Sequence, residues 1–366
     1  MTRRAVLILL IVTLVPAFAI TGVVVRADRR YLSAEASRWR QQGVRDLDAR
    51  RPDAAVEAFR VTLARGGDDP AVRMQLAQAL IAAGRTTEAE SHLRTLWAGA
   101  PGDGPVNLAL ARLASASGRT DEALRYYHAA IDGAWERNPQ LSRRGARFEL
   151  ARMLLRQRRP TEARSELIVL ADAVKDDPGQ TLAVARMLVD AGDARTALTL
   201  AHRVLMARPA DVDALTLAGG LEFRDANYAG ARVLLQRAAR ERPLADEVES
   251  ELRDATEALA LDPLAARLGS VARLGRMRRV LMAVQQRVDA CIMAAGDQPS
   301  PDLQALADRV MAVGRSAAKS RRADADDLDE AMAVTAAVEE YPDTMCGPSS
   351  PEDRILRLVL RAHSST

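Results

Sequence analysis

The sequence predicts an all-α chain built mostly from repeated helix pairs, and three observations carry that expectation. Alanine, leucine and arginine dominate while aromatic residues make up 3%, which favours long helices with small, closely packed side chains over strands rich in valine, isoleucine and tyrosine. Alanines recur at fixed spacing: Ala55, Ala89 and Ala123 lie 34 residues apart, as do Ala163, Ala197 and Ala231. An uncharged run from Ala5 to Val25 precedes them. At 366 residues the chain is too long for one small domain, yet stacked repeats can run through most of such a length as one unit.

After Arg3 and Arg4 the chain reads AVLILLIVTLVPAFAITGVVV and then RADRR. At ~1.5 Å per residue this run spans roughly 30 Å, the thickness of a bilayer's hydrocarbon core. The expectation is a transmembrane helix over residues 5–25, within an anchor of residues 1–30. A cleaved signal peptide is the competing reading, because Ala17-Phe18-Ala19 has the small-x-small form of a cleavage site. The apolar run continues through Ile20 to Val25, which a spent signal does not need. Arg3 and Arg4 stand opposite Arg26, Arg29 and Arg30 across the segment, so the positive-inside rule is close to balance. A very short tail ahead of a signal-like segment usually stays cytoplasmic. That places residues 31–366 on the outer, periplasmic side of an inner membrane, where Cys291 and Cys346 can oxidise. The basic residues include only two lysines, Lys175 and Lys319, and alanine is abundant, a bias that fits a GC-rich bacterial genome.

Charge and chemistry narrow the function. The net charge is only +3, since 49 acidic residues are interspersed among 52 basic ones, and no block of like charge forms a nucleic-acid arm. Two cysteines exclude a disulfide framework and any CxxC site, leaving a single Cys291–Cys346 bridge or two free thiols. The four histidines, His92, His128, His202 and His363, are scattered. No P-loop, GxGxxG, GxSxG, HExxH or CxxCH occurs, so no catalytic, cofactor or metal residue is expected.

Between Ala123 and Ala163 the step is 40 residues, so six units with one six-residue insertion account for the series. With each spaced alanine at position 20, Trp39 and Gly43 take positions 4 and 8 of the first unit and Phe59 position 24. Leu76, Ala77, Gly84, Leu93 and Pro101 follow at 7, 8, 15, 24 and 32 of the second. Leu110, Ala111, Gly118, Tyr127 and Ala130 repeat the pattern in the third, and Leu150 and Ala151 in the fourth. Ala185, Gly192 and Pro209 belong to the fifth unit; Gly219, Tyr228, Ala238 and Pro243 to the sixth. The glycines fall where a first helix must end in a left-handed cap, and the prolines where a second helix stops. Small residues thus alternate with large apolar ones as two antiparallel helices crossing closely require.

This pattern closely resembles the tetratricopeptide repeat family. The departures are Gln42 at position 7, Arg73 and Arg147 at position 4, and Arg158 and Ala226 in place of the inter-helix glycine. The resemblance implies a right-handed superhelix whose first helices line a concave face that holds a peptide or partner helix. Position 5 then contributes Met74, Leu108, Phe148 and Leu182, and position 9 contributes Arg112, Arg152 and Arg186, with Arg156 at position 13. An apolar strip beside guanidinium groups suits an acidic-hydrophobic segment. In the alternative reading the arginines pair with neighbours such as Glu149 and Asp190 and keep the surface soluble. The extra residues fall near 135–143 (WERNPQLSR), as a local elaboration or a longer helix.

Beyond the repeats, LADEVESELRDATEALAL (244–261) reads as a capping helix. Asp262 and Pro263 open a long helix, broken at Gly296–Pro301. Helices over 302–318 and 325–340, a turn-rich loop YPDTMCGPSSPED, and a helix from Arg354 complete a C-terminal bundle. The expected organisation is an anchor (1–30), a six-repeat solenoid with its cap (31–261) and a helical region (262–366). The expected function is that of a membrane-anchored scaffold or adaptor, such as an accessory subunit of a membrane protein complex. The alternatives are a component of an envelope processing, assembly or export system, and a self-associating structural protein.

Overall fold

A computed structural model describes residues 31–296 and 299–364. Among these residues every regular element is a helix. They group into two compact units, one up to Leu170 and one from Ala171 onward.

The first unit contains α1 (residues 31–48), α2 (Pro52–Gly66), α3 (Pro70–Ala82), α4 (Thr86–Gly99), α5 (Gly104–Ala116), α6 (Thr120–Asp132), α7 (Pro139–Arg156) and most of α8 (Pro160–Ala173). The starts of α3 and α5 have a local cause. Asp69 and Asp103 accept hydrogen bonds from the backbone of Ala71 and Val106, and a proline sits in the first turn of α3 and of α5. The carboxylate satisfies an orphan N–H, and proline has none to satisfy.

Gly84 and Gly118 sit at φ +75° and +73° between paired helices. Arg50 and Arg158 hold the same place at φ +56° and +57° despite their side chains. The hydrogen bonds agree: Arg85 N–H donates to Leu80 O, and Arg159 N–H to Leu154 O. The turn is therefore imposed by the repeat, and glycine only makes it cheaper.

Ala55, Ala89, Ala123 and Ala163 are all completely buried, because the two helices of a pair cross at that point. Opposite them, a Cβ on Gly43 would lie 2.7 Å from Phe59 Cε1. The insertion resolves into both expected forms. Helix α7 has 18 residues where α3 and α5 have 13, and the segment before it crosses back over α5. An isolated parallel bridge joins Asp103 to Ala134, and the Trp135 ring covers Gly104 so closely that a Cβ there would meet it at 2.4 Å. The indole N–H donates to Ala130 O at 2.8 Å.

The second unit holds α9 (Pro178–Asp190), α10 (Ala194–Ala207), α11 (Val212–Arg224), α12 (Tyr228–Glu241) and α13 (Asp246–Leu261), followed by α14 (Ser270–Ala295), α15 (Pro301–Lys319), α16 (Ala325–Glu339), α17 (Asp343–Cys346) and α18 (Pro351–His363). Asp177 and Asp211 cap α9 and α11, Ala197 and Ala231 are fully buried, and Ala226 takes the left-handed place at φ +59°.

Two boundaries differ from expectation. The long helix begins at Ser270 rather than Asp262, because Asp262 ends α13 and its carboxylate accepts from Leu264 N–H. Arg276 then donates to Leu259 O and Asp262 O, satisfying carbonyls that the end of α13 leaves open. The last helix begins at Pro351 rather than Arg354, because Ser350 and Asp353 form a reciprocal capping box.

Leu274, Met277, Val280, Leu281 and Val284 of α14 share a core with Val310, Leu328, Val334 and Leu356. Helix α18 also joins the last repeat, where Ile355 and Val359 share a core with Tyr228, Ala231, Ala255 and Ala258. Cys291 and Cys346 form a disulfide. One turn before Cys291, buried Arg287 donates to Asp343 Oδ1 at 2.7 Å and Gly347 O at 3.0 Å. The anchor expected over residues 5–25 lies outside the described residues. Among the described ones, no helix is long and apolar enough to cross a membrane.

Candidate functional site

Residues expected to line one strip fall into distinct places. In the first unit, α5, α6 and α7 enclose a cavity of about 540 Å³ lined by Arg112, Tyr127, Glu149, Arg152, Arg156 and Gln157. Arg112 on α5 donates to both oxygens of Glu149 on α7, at 2.8 and 2.6 Å. That bidentate bond raises the arginine's affinity for its proton. Tyr127 lies beneath, its phenol held above the usual range by burial first and by Glu149 second, against the opposing pull of Arg112 and Arg156. Arg152 and Arg156 are exposed and one helical turn apart on α7, and among the described residues neither has a carboxylate partner. A pair at i and i+4 points the same way from the helix.

Met74 lies in a second cavity of about 730 Å³, together with Gln78, Leu96, Val106 and Trp135. Sequence reasoning missed this pocket. Its signal was present: Gly104, at the start of a repeat and near Trp135, marks a close approach of backbone to a large ring. Leu108 is half-buried and packs against the core around Ala111, Tyr127 and Leu150. Phe148 is half-buried.

In the second unit the expected groove contacts change role. Leu182 is buried and shares a core with Ala201, Leu205 and Leu215, so it is not an exposed apolar contact. Arg186 donates to Asp213 Oδ2 at 2.9 Å, and Arg242 takes Asp213 Oδ1 at 2.6 Å. These bonds, Arg186's first, hold the Asp213 carboxyl below its usual range. The alternative reading of the arginines therefore describes Arg112 and Arg186, with Asp213 rather than Asp190 as the second partner. Among the described residues no cluster of histidine, cysteine and carboxylates could hold a metal ion.

Stacked antiparallel helix pairs with small residues at each crossing define a helix-pair repeat protein. Two models of the tetratricopeptide repeat match, one over residues 46–113 and 80–132 and the other over residues 108–179. The chain thus contains tetratricopeptide repeats, and proteins with such repeats typically act as scaffolds for protein–protein interaction. No curated protein matches the chain.

Among solved structures, it is similar to YrrB, described as a tetratricopeptide repeat protein with an unusual peptide-binding site. That match has 16% identity and a TM-score of 0.42, and covers 54% of this chain and 98% of that one. It is also similar to part of a repeat protein from Cytophaga hutchinsonii (13% identity, TM-score 0.47, 66% and 94% covered). A third similarity is to a yeast Sti1 domain in complex with pHSP90 (16% identity, TM-score 0.26, 61% and 99% covered).

Proposed function

We propose that this protein is a non-catalytic scaffold, held to a bacterial inner membrane by residues 5–25, which recruits a partner protein through an acidic segment received on α7. One observation carries the reading: Arg152 and Arg156, a turn apart beside a cavity of about 540 Å³, have no carboxylate partner among the described residues. Guanidinium groups left without a counter-charge accept carboxylates bidentately. The half-buried Phe148 on the same helix offers an apolar contact beside the cations. Arg112 and Arg186, engaged with Glu149 and Asp213, hold helices together instead. The membrane part rests on the uncharged run from Ala5 to Val25.

The test is affinity purification of the full chain from membranes after mild crosslinking, comparing wild type with Arg152→Gln/Arg156→Gln. A partner recovered with wild type and lost with the double variant supports the reading. A partner retained equally by both refutes the arginine site. Release of the chain from membranes by alkaline carbonate refutes the anchor.

A further inference from the structure

The C-terminal bundle has a groove of its own. Helices α14 and α15 leave between them a groove of about 580 Å³ with a predominantly apolar lining. Its floor is Leu281, Val310 and Ala317, all buried, and its sides are Met282 and Met311, 64% and 40% exposed. The space beside Gly314 is open, since a Cβ there would meet nothing within 4 Å. Methionine walls adapt to a partner's side chains at low cost.

Its charge is of one sign. Arg278 and Arg315 line the groove and no carboxylate does. Arg278 donates to the carbonyls of Ala317, Ala318 and Ser320 at the end of α15, which satisfies its donors without neutralising its charge. Arg315 forms no ion pair among the described residues. Elsewhere in the bundle arginines do find carboxylates, as Arg309 does Glu330 and Arg357 does Glu339.

We infer that the groove between α14 and α15 docks an amphipathic helix of a partner protein, its apolar face on Met282, Met311 and Gly314 and its acidic flanks on Arg278 and Arg315. The occupant is helical because both walls are helices with their backbone groups bonded internally, offering no edge on which an extended strand could pair. A recessed, buried floor fits a rod better than a lipid surface, which requires protruding apolar side chains.

The probe is a fluorescein-labelled synthetic helix of about 18 residues, with leucine at i, i+4 and i+7 and flanks of glutamate, against an otherwise identical helix with lysine flanks. Fluorescence anisotropy on the full chain is expected to show the glutamate helix binding at least about tenfold more tightly than the lysine helix, with added salt weakening it. Gly314→Leu, which fills the groove and raises helix propensity, abolishes binding while leaving the circular dichroism unchanged. Arg315→Glu weakens the glutamate helix and strengthens the lysine one. Equal binding of both helices, no binding of the glutamate helix at ~100 µM, or unchanged affinity in Gly314→Leu overturns the inference. So does retention on phosphatidylserine vesicles that Gly314→Leu weakens, or a sedimenting dimer that Gly314→Leu dissociates.

Discussion

Arg112 on α5 grips both carboxylate oxygens of Glu149 on α7, joining the first helices of two successive repeats. The arginine's side chain is more than half exposed, so solvent screens the pair and its coupling is expected to be about 0.2–1 kcal/mol. A double-mutant cycle with Arg112→Gln and Glu149→Gln, read by chemical denaturation, measures it. Arg152→Gln/Arg156→Gln, which removes no ion pair among the described residues, leaves the denaturation midpoint unchanged. A coupling near zero would return Arg112 to the pool of ligand-binding candidates.

The left-handed residues that are not glycine are expected to be sites of easy stabilisation. Arg50, Arg158 and Ala226 adopt φ between +56° and +59°, a region that costs a residue with a Cβ about 1 kcal/mol. Glycine recovers most of that, less its greater freedom in the unfolded chain, so each substitution by glycine should stabilise by about 0.5 kcal/mol. Gly118→Ala, at φ +73°, should act oppositely. A lower melting temperature for Arg158→Gly would show that its side chain supplies more than the strained backbone costs.

The crossing alanines show what the sequence could reveal and what it could not. Ala55, Ala89, Ala123, Ala163, Ala197 and Ala231 were readable because a steric limit acts directly on residue identity, and all six are fully buried. Glu149 was named among the neighbours the arginines could pair with, but Arg186's partner Asp213 was not, because it lies on the next repeat's first helix, where reach depends on how successive pairs stack. Leu182 looked like a groove residue from its register, yet its side chain turns into the core. At 262–269 the Asp-Pro pair has the signature of a helix start, but Asp262 serves the end of α13. The capping box at Ser350 and Asp353 was legible in principle as S-x-x-D.

Gly219 is expected to tolerate nothing larger. A Cβ there would lie 2.5 Å from Leu235 Cδ2 and 2.7 Å from its Cγ, so the α11–α12 pair must separate or Leu235 must change rotamer. Gly219→Ala should therefore destabilise by about 1–3 kcal/mol, the range for overpacking a core. Calorimetry on Gly219→Ala with and without Leu235→Ala distinguishes a clash, which the second substitution relieves, from any other cause.

The Cys291–Cys346 bridge joins residues 55 apart in sequence. Closing a loop of that length removes unfolded-state entropy, so Cys291→Ser/Cys346→Ser should lose about 2–4 kcal/mol. The turn after α16 would then depend on buried Arg287, which holds Asp343 and Gly347. Hydrogen exchange in the double variant should show faster exchange over residues 341–350 than over α14. Unchanged exchange there would mean that Arg287 alone suffices.

Glu251 on α13 gives the chain a pH dependence of defined sign. Burial, the largest influence, raises its carboxyl above the ordinary range; Arg224 pulls the other way, and Glu247 and Asp254 add to the rise. The folded state therefore binds this proton more tightly than the unfolded chain does. Between the unfolded and folded titration points the native state carries the extra proton, so stability falls as pH rises through that window and stays lower above it. Glu251→Gln, which is neutral at every pH, should raise the melting temperature at pH 7 and change it little at pH 4, where the carboxyl of the folded protein is largely protonated. A gain of equal size at both pH values would trace the effect to packing rather than to charge.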